Sequence, residues 1–388
     1  MKLTPPLWRI LLTNVAPPFA SSCLMLYIAE LKETRLLTLA AAGLVLTSSS
    51  LAAFLGPLLT AKASLRFGSA PVAWAGLLLF TAGLGTVVST LRVPLLVGGL
   101  FVMVLAYMFI IVLVSAELAA RIPEDTHSVI ALQLGATAAG GMLAGPFAAW
   151  ILRLEPVTQS FRAAHWLGFT AIGLTALCVL PALLNHDFAT RPATSRERFP
   201  WKLPLIRVLI VLALLHGLCD VAGWNWMTIW LRELPGANRD LGAVLISLTW
   251  LANLAGRGVT ILIARRAGHQ LALKIGAAGA AAAIFAAYVA HLPYAFILGF
   301  CLYCVFAAAN LPGLVAVVSA QAPGWRTQMT GLLMAAVNGS GAVGTLIIAR
   351  IGAWEGSAMA GMPVSVLAMI AFALIIWTGS WWHTGTEG

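Results

Sequence analysis

Long runs of apolar residues recur from one end of the chain to the other, and this recurrence limits the fold more than any other feature. A helix needs about 20 predominantly apolar residues to cross the hydrocarbon core of a bilayer. Of the 388 residues, 61% are hydrophobic and only 9% are charged, whereas an ordinary soluble domain carries about 25% charged residues. The chain is therefore predicted to be an integral membrane protein with many spans.

The composition of the apolar runs favours helices over the strands of a transmembrane β-barrel. Barrel strands alternate apolar and polar residues over short stretches, whereas these runs are continuous and rich in Ala, Leu, Val, Ile and Gly. The predicted fold class is an all-α polytopic membrane protein with twelve transmembrane helices. A window of about 19 residues places these helices at 7–29, 36–60, 70–90, 93–119, 127–152, 162–184, 204–231, 240–263, 270–290, 293–320, 327–350 and 358–381.

One long polar segment, residues 185–203, separates the sixth predicted helix from the seventh. This basic segment divides the chain into an N-terminal six-helix bundle at 1–184 and a C-terminal six-helix bundle at 204–388. Because cytoplasmic loops carry the excess of Lys and Arg, the charges predict that this linker loop and both termini are cytoplasmic. The formal net charge of +10 then belongs to such loops, so we expect no nucleic-acid partner.

The two halves also contain an internal repeat. An offset of 200 residues aligns the second to fifth predicted helices of the halves without a gap, and Arg-x-Gly follows both the second and the eighth helix. The coinciding residues are Gly56 with Gly256, Arg66 with Arg266, Gly68 with Gly268, Pro123 with Pro323 and Gly141 with Gly341. We therefore predict two pseudo-symmetric bundles derived from one duplicated unit.

Twelve helices in two halves, a long basic central loop and the repeated Arg-x-Gly together resemble the major facilitator superfamily over nearly the whole chain. In that family the loop after the second helix reads approximately Gly-x-x-x-Asp-Arg-x-Gly, and Arg66 and Gly68 match its Arg and Gly. Leu65 stands at the acidic position, and the second copy, Arg266 with Gly268, lacks the acid as well. The resemblance implies a secondary active transporter that alternates between inward-open and outward-open states, and we expect a monomer in the inner (cytoplasmic) membrane.

A second element, Gly-Met-Leu-Ala-Gly-Pro from Gly141 to Pro146, is similar to the Gly-x-x-x-Gly-Pro of proton-coupled antiporters in this family. Gly141 and Gly145 permit a neighbouring helix to approach closely, so a purely structural role is the alternative. The Arg that drug exporters have near the start of helix 4 is missing from residues 95–99, which leaves the subclass open. The element favours export of a small organic molecule; import of a metabolite, lipid transport and a non-transporting sensor are the alternatives.

Few ionisable residues lie deep within the predicted helices, and each is a functional candidate because a charge in hydrocarbon is unfavourable. Asp220 lies in the middle of helix 7 and is the predicted proton-coupling residue, because a carboxyl group can alternate between charged and neutral forms. His216 lies one turn earlier on the same face and is its predicted partner. A structural ion pair and a core histidine are the alternatives. Trp224, Asn225 and Met227 are predicted to bind substrate.

Other polar residues within the spans are weaker candidates. Arg257 is predicted to act at a gate or in packing, with Glu117 as a candidate partner, and Gly56 belongs with the repeated motif residues in a structural role. The remaining polar side chains are predicted either to hold helices together or to contact substrate. They are Asn14, Tyr27, Tyr107, Gln133, Asn253, Tyr303, Asn310 and Asn338.

The sequence contains no pattern typical of an enzyme. It has no Gly-x-x-x-x-Gly-Lys-Ser/Thr loop for ATP and no cluster of catalytic or metal-ligating residues, and Cys301-x-x-Cys304 in an apolar helix is predicted to pack. We therefore expect no catalytic residues, no metal and no cofactor. The expected partners are the lipid bilayer, a small-molecule substrate and protons. Scarce buried basic groups favour a neutral, zwitterionic or cationic substrate over a multiply charged anion.

Overall fold

A computed structural model describes residues 5–121, 126–154, 162–188, 204–321 and 326–379 of the chain. Within these ranges every regular element is a helix. Twelve helical segments of the described residues are long and apolar enough to cross a membrane, which confirms the predicted number of spans and the all-α fold class. Pro123, Pro323, residues 189–203 of the linker and the end of the twelfth predicted helix lie outside the described residues.

The chain divides into two compact units. Unit 1 comprises Met1–Thr194 and Asn238–Trp250, and unit 2 comprises Ser195–Ala237 and Leu251–Gly388. The helices of the first half are α1 Pro5–Leu12, α2 Ala16–Glu33, α3 Leu39–Phe67, α4 Ser69–Val88, α5 Val93–Arg121, α6 Thr126–Leu154 and α7 Arg162–Leu184. Those of the second half are α8 Pro204–Glu233, α9 Arg239–Ala267, α10 His269–Tyr288, α11 Pro293–Ala307, α12 Asn310–Gln321, α13 Arg326–Glu355 and α14 Met362–Thr378. A short 3₁₀ helix, Ala358–Gly361, precedes α14.

The first span is two helices, where the sequence predicted one continuous helix over 7–29. The helix breaks at residues 13–15, between α1 and α2. Pro17 and Pro18 explain the break, because neither has an N–H to donate to the carbonyl four residues earlier. Those carbonyls belong to Thr13 and Asn14, so Asn14 lies in the break and not within a helix.

The tenth span is broken in a similar way, although the sequence predicted one helix over 293–320. Two turn residues, Ala308 and Ala309, separate α11 from α12. Pro312 lacks the N–H that would bond to the Ala308 carbonyl, and the Ala309 N–H turns back to Phe306 O at 3.2 Å. The tenth span therefore reaches across the membrane as two short helices.

Apolar packing and an ion pair both hold the short helix α1 within unit 1. Leu7 and Ile10 are buried in an apolar core formed with side chains of α4, α5 and α7. The Arg9 guanidinium makes two hydrogen bonds to the Asp187 carboxylate, with Nε to Oδ2 at 2.7 Å and Nη2 to Oδ1 at 3.2 Å. Arg9 therefore ties the start of the chain to the segment that follows α7.

The helix bounds agree with the repeat found in the sequence. α9 begins and ends 200 residues after α3, and α10 does so relative to α4. Between these helices Gly68 and Gly268 have φ values of 85° and 86°, a conformation that residues with a Cβ rarely adopt. The repeated Arg-x-Gly thus marks the same sharp turn in both halves, because only Gly adopts it without strain.

A second repeated glycine permits close helix packing within each unit. A Cβ on Gly56 of α3 would collide with the Met108 side chain of α5. A Cβ on Gly256 of α9 would collide with the backbone of Val305 in α11. Small residues at these two positions let helix backbones approach, which is how helices associate in lipid where burial of apolar surface gives no advantage.

Exposed tryptophans lie near helix ends, where amphipathic rings anchor spans at the membrane interface. Six such residues are Trp8, Trp74, Trp150, Trp166, Trp354 and Trp377. Each lies within the first or last two turns of its helix. Their positions fit helices that each cross one bilayer.

We expect Gly256→Ala to lower the stability of the protein by about 1–3 kcal/mol, because the added methyl group overpacks the contact with Val305. Gly258→Ala is the matched control, since a Cβ there meets no atom within 4 Å. The measurement is the melting temperature of the purified protein in detergent. Equal melting temperatures for the two variants would contradict the packing role of Gly256.

Candidate functional site

Four polar side chains of unit 2, His216 and Asp220 on α8, Arg257 on α9 and Tyr303 on α11, form what we call the polar cluster. Its centre is Asp220, which lies in the middle of α8. The Tyr303 hydroxyl donates a hydrogen bond to Asp220 Oδ1 at 2.9 Å. His216 Nε2 lies 3.9 Å from Asp220 Oδ2, too far for a hydrogen bond. The structure thus brings together the two residues that the sequence predicted as partners and adds Tyr303.

Exposure differs sharply between the members of this pair. The Asp220 side chain is 26% exposed, whereas that of His216 is 4% exposed. The His216 ring packs against Phe372, with the ring centroids 5.8 Å apart, and its Nδ1 has no hydrogen-bond partner among the described residues. Asp220 is therefore the accessible ionisable group of the pair, and His216 supports it from the apolar interior.

Arg257 completes the polar cluster from a neighbouring helix. Its Nε donates to Asn253 Oδ1 at 3.0 Å, one turn earlier on α9. The charge of Asp220 acts on the Arg257 guanidinium, although no ion pair within 4.0 Å joins them among the described residues. The Asp220 carboxylate and the Arg257 guanidinium therefore lie in one region of unit 2 without forming an ion pair.

The polar cluster has no counterpart in the first half of the chain. The offset of 200 residues places apolar residues at the four corresponding positions: Ala16, Ala20, Pro57 and Met103. Two of the helices concerned also differ in continuity, because α8 is continuous where α1 and α2 are separated, and α5 is continuous where α11 and α12 are separated. The chemistry of the polar cluster therefore belongs to the second half alone.

Within unit 1, the start of α9 packs along α6 at the glycines that the sequence singled out. A Cβ on Gly141 would collide with the Trp250 indole, and one on Gly145 would collide with Ala243 and Ser247. The three α9 residues lie at helical spacing on one face. The Gly-x-x-x-Gly part of the element is thus explained by close packing against residues 238–250.

Pro146 has a separate effect on the same contact. It cannot donate to the carbonyl of Met142, four residues earlier in α6, so that carbonyl needs another donor. The Ser247 hydroxyl supplies it, with Oγ 2.9 Å from Met142 O. A hydrogen bond from Trp250 Nε1 to Ser22 Oγ at 3.0 Å holds the same part of α9 to α2.

Two ion pairs lie at the beginning of α9, and the sequence analysis missed both. Glu30 of α2 is fully buried and pairs with Arg239, which also donates to Leu152 O at 3.1 Å. Arg153 pairs with Asp240 at 2.6 Å in an exposed position. The first predicted helix ended at residue 29, four residues before the end of α2, and the eighth began at 240, one residue after the start of α9, so Glu30 and Arg239 were placed in loops.

Three predicted substrate-binding residues of α8 lie in different surroundings. Asn225 is buried and its Nδ2 donates to Thr345 Oγ1 of α13 at 2.9 Å. Met227 is fully buried in the core, and Trp224 is half-buried. Trp224 alone among the three is both near the polar cluster along the helix and partly open; a role of each in binding stays a prediction.

Asn14, Tyr27 and Asn310 share one property, since each is buried and has a side-chain polar atom without a hydrogen-bond partner among the described residues. Asn14 lacks a partner for both its nitrogen and its oxygen. Asn310 lies at the start of α12, where its Nδ2 contacts Met369 Sδ at 3.9 Å and Gly276 lies beside its Oδ1. These contacts place Asn310 inside the helix bundle of unit 2.

The remaining polar candidates make local or interhelical contacts. Gln133 Nε2 donates to Ser115 Oγ at 2.7 Å, which joins α6 to α5. Asn338 Nδ2 donates to Met334 O of its own helix at 2.9 Å. Tyr107 is half-buried in α5. Gln133 thus makes an interhelical contact of the expected kind, whereas the Asn338 hydrogen bond stays within α13; a part of either residue in substrate binding stays a prediction.

The motif residues lie at the ends of their helices. Arg66 is exposed and its guanidinium lies 5.2 Å from the centroid of the Phe67 ring, with no carboxylate partner among the described residues. Arg266 is exposed too, and Glu117 is buried in α5. The absence of an acid at Leu65 thus leaves Arg66 against an aromatic ring. In the described ranges no three His, Cys, Asp or Glu side chains are arranged to hold a metal ion.

Comparison with known proteins gives one family and one fold. A family model described as Major Facilitator Superfamily matches residues 10–345. A solved structure of the nucleoside transporter NupG has a TM-score of 0.75 and 15% identity, covering 96% of this chain and 98% of that one. A D-xylose-proton symporter has a TM-score of 0.74 and 16% identity, covering 95% and 96%. The fucose:proton symporter FucP of E. coli has a TM-score of 0.65 and 15% identity, covering 95% and 97%. No curated protein matches the chain in sequence.

We expect Ser247→Ala to lower stability by about 1 kcal/mol, because it leaves the Met142 carbonyl without a donor. In a Pro146→Ala background the restored N–H of residue 146 can bond to that carbonyl, so the same change should have almost no effect. Melting temperatures of the four proteins of this double-mutant cycle measure the coupling. Equal losses in both backgrounds would contradict the proposed role of the serine.

We expect Glu30→Gln to lower stability by about 3 kcal/mol, the lower end of the cost of breaking a buried ion pair. The low end applies because the Arg239 side chain is 33% exposed while Glu30 is 0% exposed. Asp240→Asn, in the neighbouring exposed pair, is the control and should change the melting temperature little. If both variants have the same melting temperature, burial of Glu30 does not determine how much its ion pair with Arg239 stabilises the protein.

Proposed function

This chain belongs to the major facilitator superfamily, and we propose that within this family of transporters it moves a small organic molecule by proton-coupled secondary active transport. In such transporters the two six-helix halves rock about a binding site near the middle of the membrane. Directly energised transport would need a nucleotide site, for which the sequence has no motif.

The observation that carries the proposal is the Asp220 carboxyl in the middle of an apolar span. The Asp220 side chain is partly exposed, unlike that of His216. An ionisable group at this depth is unfavourable unless neighbouring groups stabilise it, so such groups commonly have a functional role. Tyr303 stabilises the charged carboxylate by donating to it, and Arg257 attracts it through space. Protonation removes the charge and with it both attractions.

This change of charge is what couples proton movement to conformation. A charged Asp220 attracts Arg257 of α9 and accepts from Tyr303 of α11, whereas a neutral carboxyl holds these helices less firmly. A group that has different interactions in two protonation states biases a two-state equilibrium. His216 is the neighbouring group able to exchange a proton with Asp220 through a small movement.

The direction of transport rests on weaker grounds than the coupling. The Gly141–Pro146 element favoured export, but close packing and the Ser247 hydrogen bond already explain its residues. Two of the similar solved structures are described as proton symporters. We therefore propose uptake together with protons as the first direction to test, with export as the alternative.

We expect Asp220→Asn to abolish proton-driven accumulation in proteoliposomes, while exchange of labelled solute across the membrane persists. The exposed acid Glu355 supplies the control, because Glu355→Gln removes a carboxylate at the end of α13 without touching the polar cluster. The assay records internal pH and labelled solute under an imposed pH gradient. Nucleosides, monosaccharides, amino acids and small carboxylates are the probes. Unchanged proton-driven uptake in Asp220→Asn would overturn the coupling role.

A further inference from the structure

Arg257 is the one cation of unit 2's described spans that lies away from a helix end. The other Lys and Arg residues of these spans, Arg207, Arg232, Arg265, Arg266, Lys274 and Arg350, lie within the first or last two turns of their helices. Arg257 stands ten residues before the end of α9 at Ala267. A guanidinium keeps its charge at any physiological pH, so at this depth it requires an anionic or strongly accepting partner.

The contacts of Arg257 leave most of its guanidinium available. Nε donates to Asn253 Oδ1 at 3.0 Å, which fixes the plane of the group. No described residue accepts a hydrogen bond from Nη1 or Nη2 or pairs with them. Arg257 is half-buried within the span.

Asp220 does not satisfy Arg257, although it lies in the same cluster. One oxygen of Asp220 accepts from Tyr303, the other faces His216, and no ion pair to Arg257 forms within 4.0 Å. A bound charge here would act on three groups of neighbouring helices, namely His216, Asp220 and Tyr303. The buried thiols Cys219 and Cys304 lie beside them. The acid and the base are therefore not joined to each other by an ion pair among the described residues.

The chemistry of a free guanidinium selects its ligand. Two parallel N–H donors match the two oxygens of a carboxylate in one plane, and this charge-assisted, bidentate contact is among the strongest in proteins. A single cation balances a single negative charge, whereas phosphates and dicarboxylates need further Lys or Arg. The sequence favoured a neutral, zwitterionic or cationic substrate over a multiply charged anion, and a monocarboxylate departs from that expectation by the one negative charge that a single Arg can balance.

We propose that Arg257 binds the carboxylate of the transported molecule, which is thus a small monocarboxylate, and that Asn253 positions the guanidinium for it. This assignment rests on the transport function proposed above and names its substrate class. Bound carboxylate neutralises Arg257, and a proton on Asp220 neutralises the acid. Binding of one carboxylate together with one proton then adds no net charge to the part of unit 2 that lies in the hydrocarbon core. This balance favours movement of the carboxylate and the proton together.

The test measures binding to the purified full-length protein in detergent, where no gradient is needed. The probes are acetate, lactate, pyruvate and benzoate, each paired with its amide, and alanine represents zwitterions. We expect at least one carboxylate to raise the melting temperature more than its amide does, because a ligand that binds the folded state stabilises it. Stabilisation by alanine alone, and by no simple carboxylate, would overturn the monocarboxylate assignment in favour of a zwitterion.

Variants of Arg257 locate the effect. Arg257→Gln should weaken carboxylate binding at least about tenfold, since it removes a charged hydrogen-bonding partner, and Arg257→Lys should keep part of it. Arg350→Gln, which removes an exposed arginine at the end of α13, is the control and should bind as the wild type does. Arg257→Lys also guards against misfolding, because it retains the buried charge.

Two results would overturn the proposal. One is a panel in which no carboxylate stabilises the wild type more than its amide. The other is carboxylate binding that survives Arg257→Gln in a monodisperse protein. Both are independent of the Asp220→Asn assay, because binding in detergent does not require proton coupling. Carboxylate binding with unaltered proton-driven transport in Asp220→Asn would keep this inference and reject the coupling role.

Discussion

Backbone amides and carbonyls in the hydrocarbon core must find partners within the protein, and the structure depends on this requirement throughout. It explains why every regular element of the described residues is a helix. It also explains the effect of several intramembrane prolines. The helix breaks at residues 13–15, before Pro17 and Pro18, and the chain turns at Ala308 and Ala309, before Pro312. At Pro146 the helix continues, because Ser247 donates to the carbonyl that the proline leaves free.

The repeat supplies a similar scaffold in both halves, and the side chains of the polar cluster are added to only one of them. The bounds of α3 and α4 recur in α9 and α10, and the left-handed glycines of the Arg-x-Gly turns and the close-packing glycines at 56 and 256 recur at the same offset. The first-half positions that correspond to the four residues of the polar cluster are apolar. A duplicated fold can therefore assign proton and ligand chemistry to one unit, because packing constrains the small residues that recur and leaves the polar positions free to differ.

The polar cluster combines two opposite charges that do not neutralise each other. Asp220 has Tyr303 as a hydrogen-bond donor, and Arg257 has Asn253 as an acceptor, so each charge is held by a neutral neighbour on a helix. A direct ion pair would satisfy both charges, and the proposed roles of Asp220 and Arg257 depend on their staying apart.

Much of the architecture followed from the sequence alone. Continuous apolar runs determined the number and type of spans, and the 200-residue repeat determined which helices correspond, because both depend on local composition and spacing. The pairing of His216 with Asp220 followed from helical periodicity. Boundary errors of four residues and of one residue, in contrast, placed Glu30 and Arg239 in loops, since composition changes gradually where a helix leaves the membrane.

The tertiary structure alone decided which polar residues face one another. Tyr303 is 83 residues from Asp220 in the chain, and no local pattern indicates that its hydroxyl reaches that carboxylate. The packing of α9 on the glycines of α6 and the burial of Asn225 against Thr345 are equally non-local. The hydrophobic pattern of the sequence predicts how deep a residue lies in the membrane. The contacts of its side chain, in contrast, depend on which helices pack together and on how each helix is rotated about its own axis. Sequence therefore determined the spans and their repeat, and only packing decided which polar side chains lie together in unit 2.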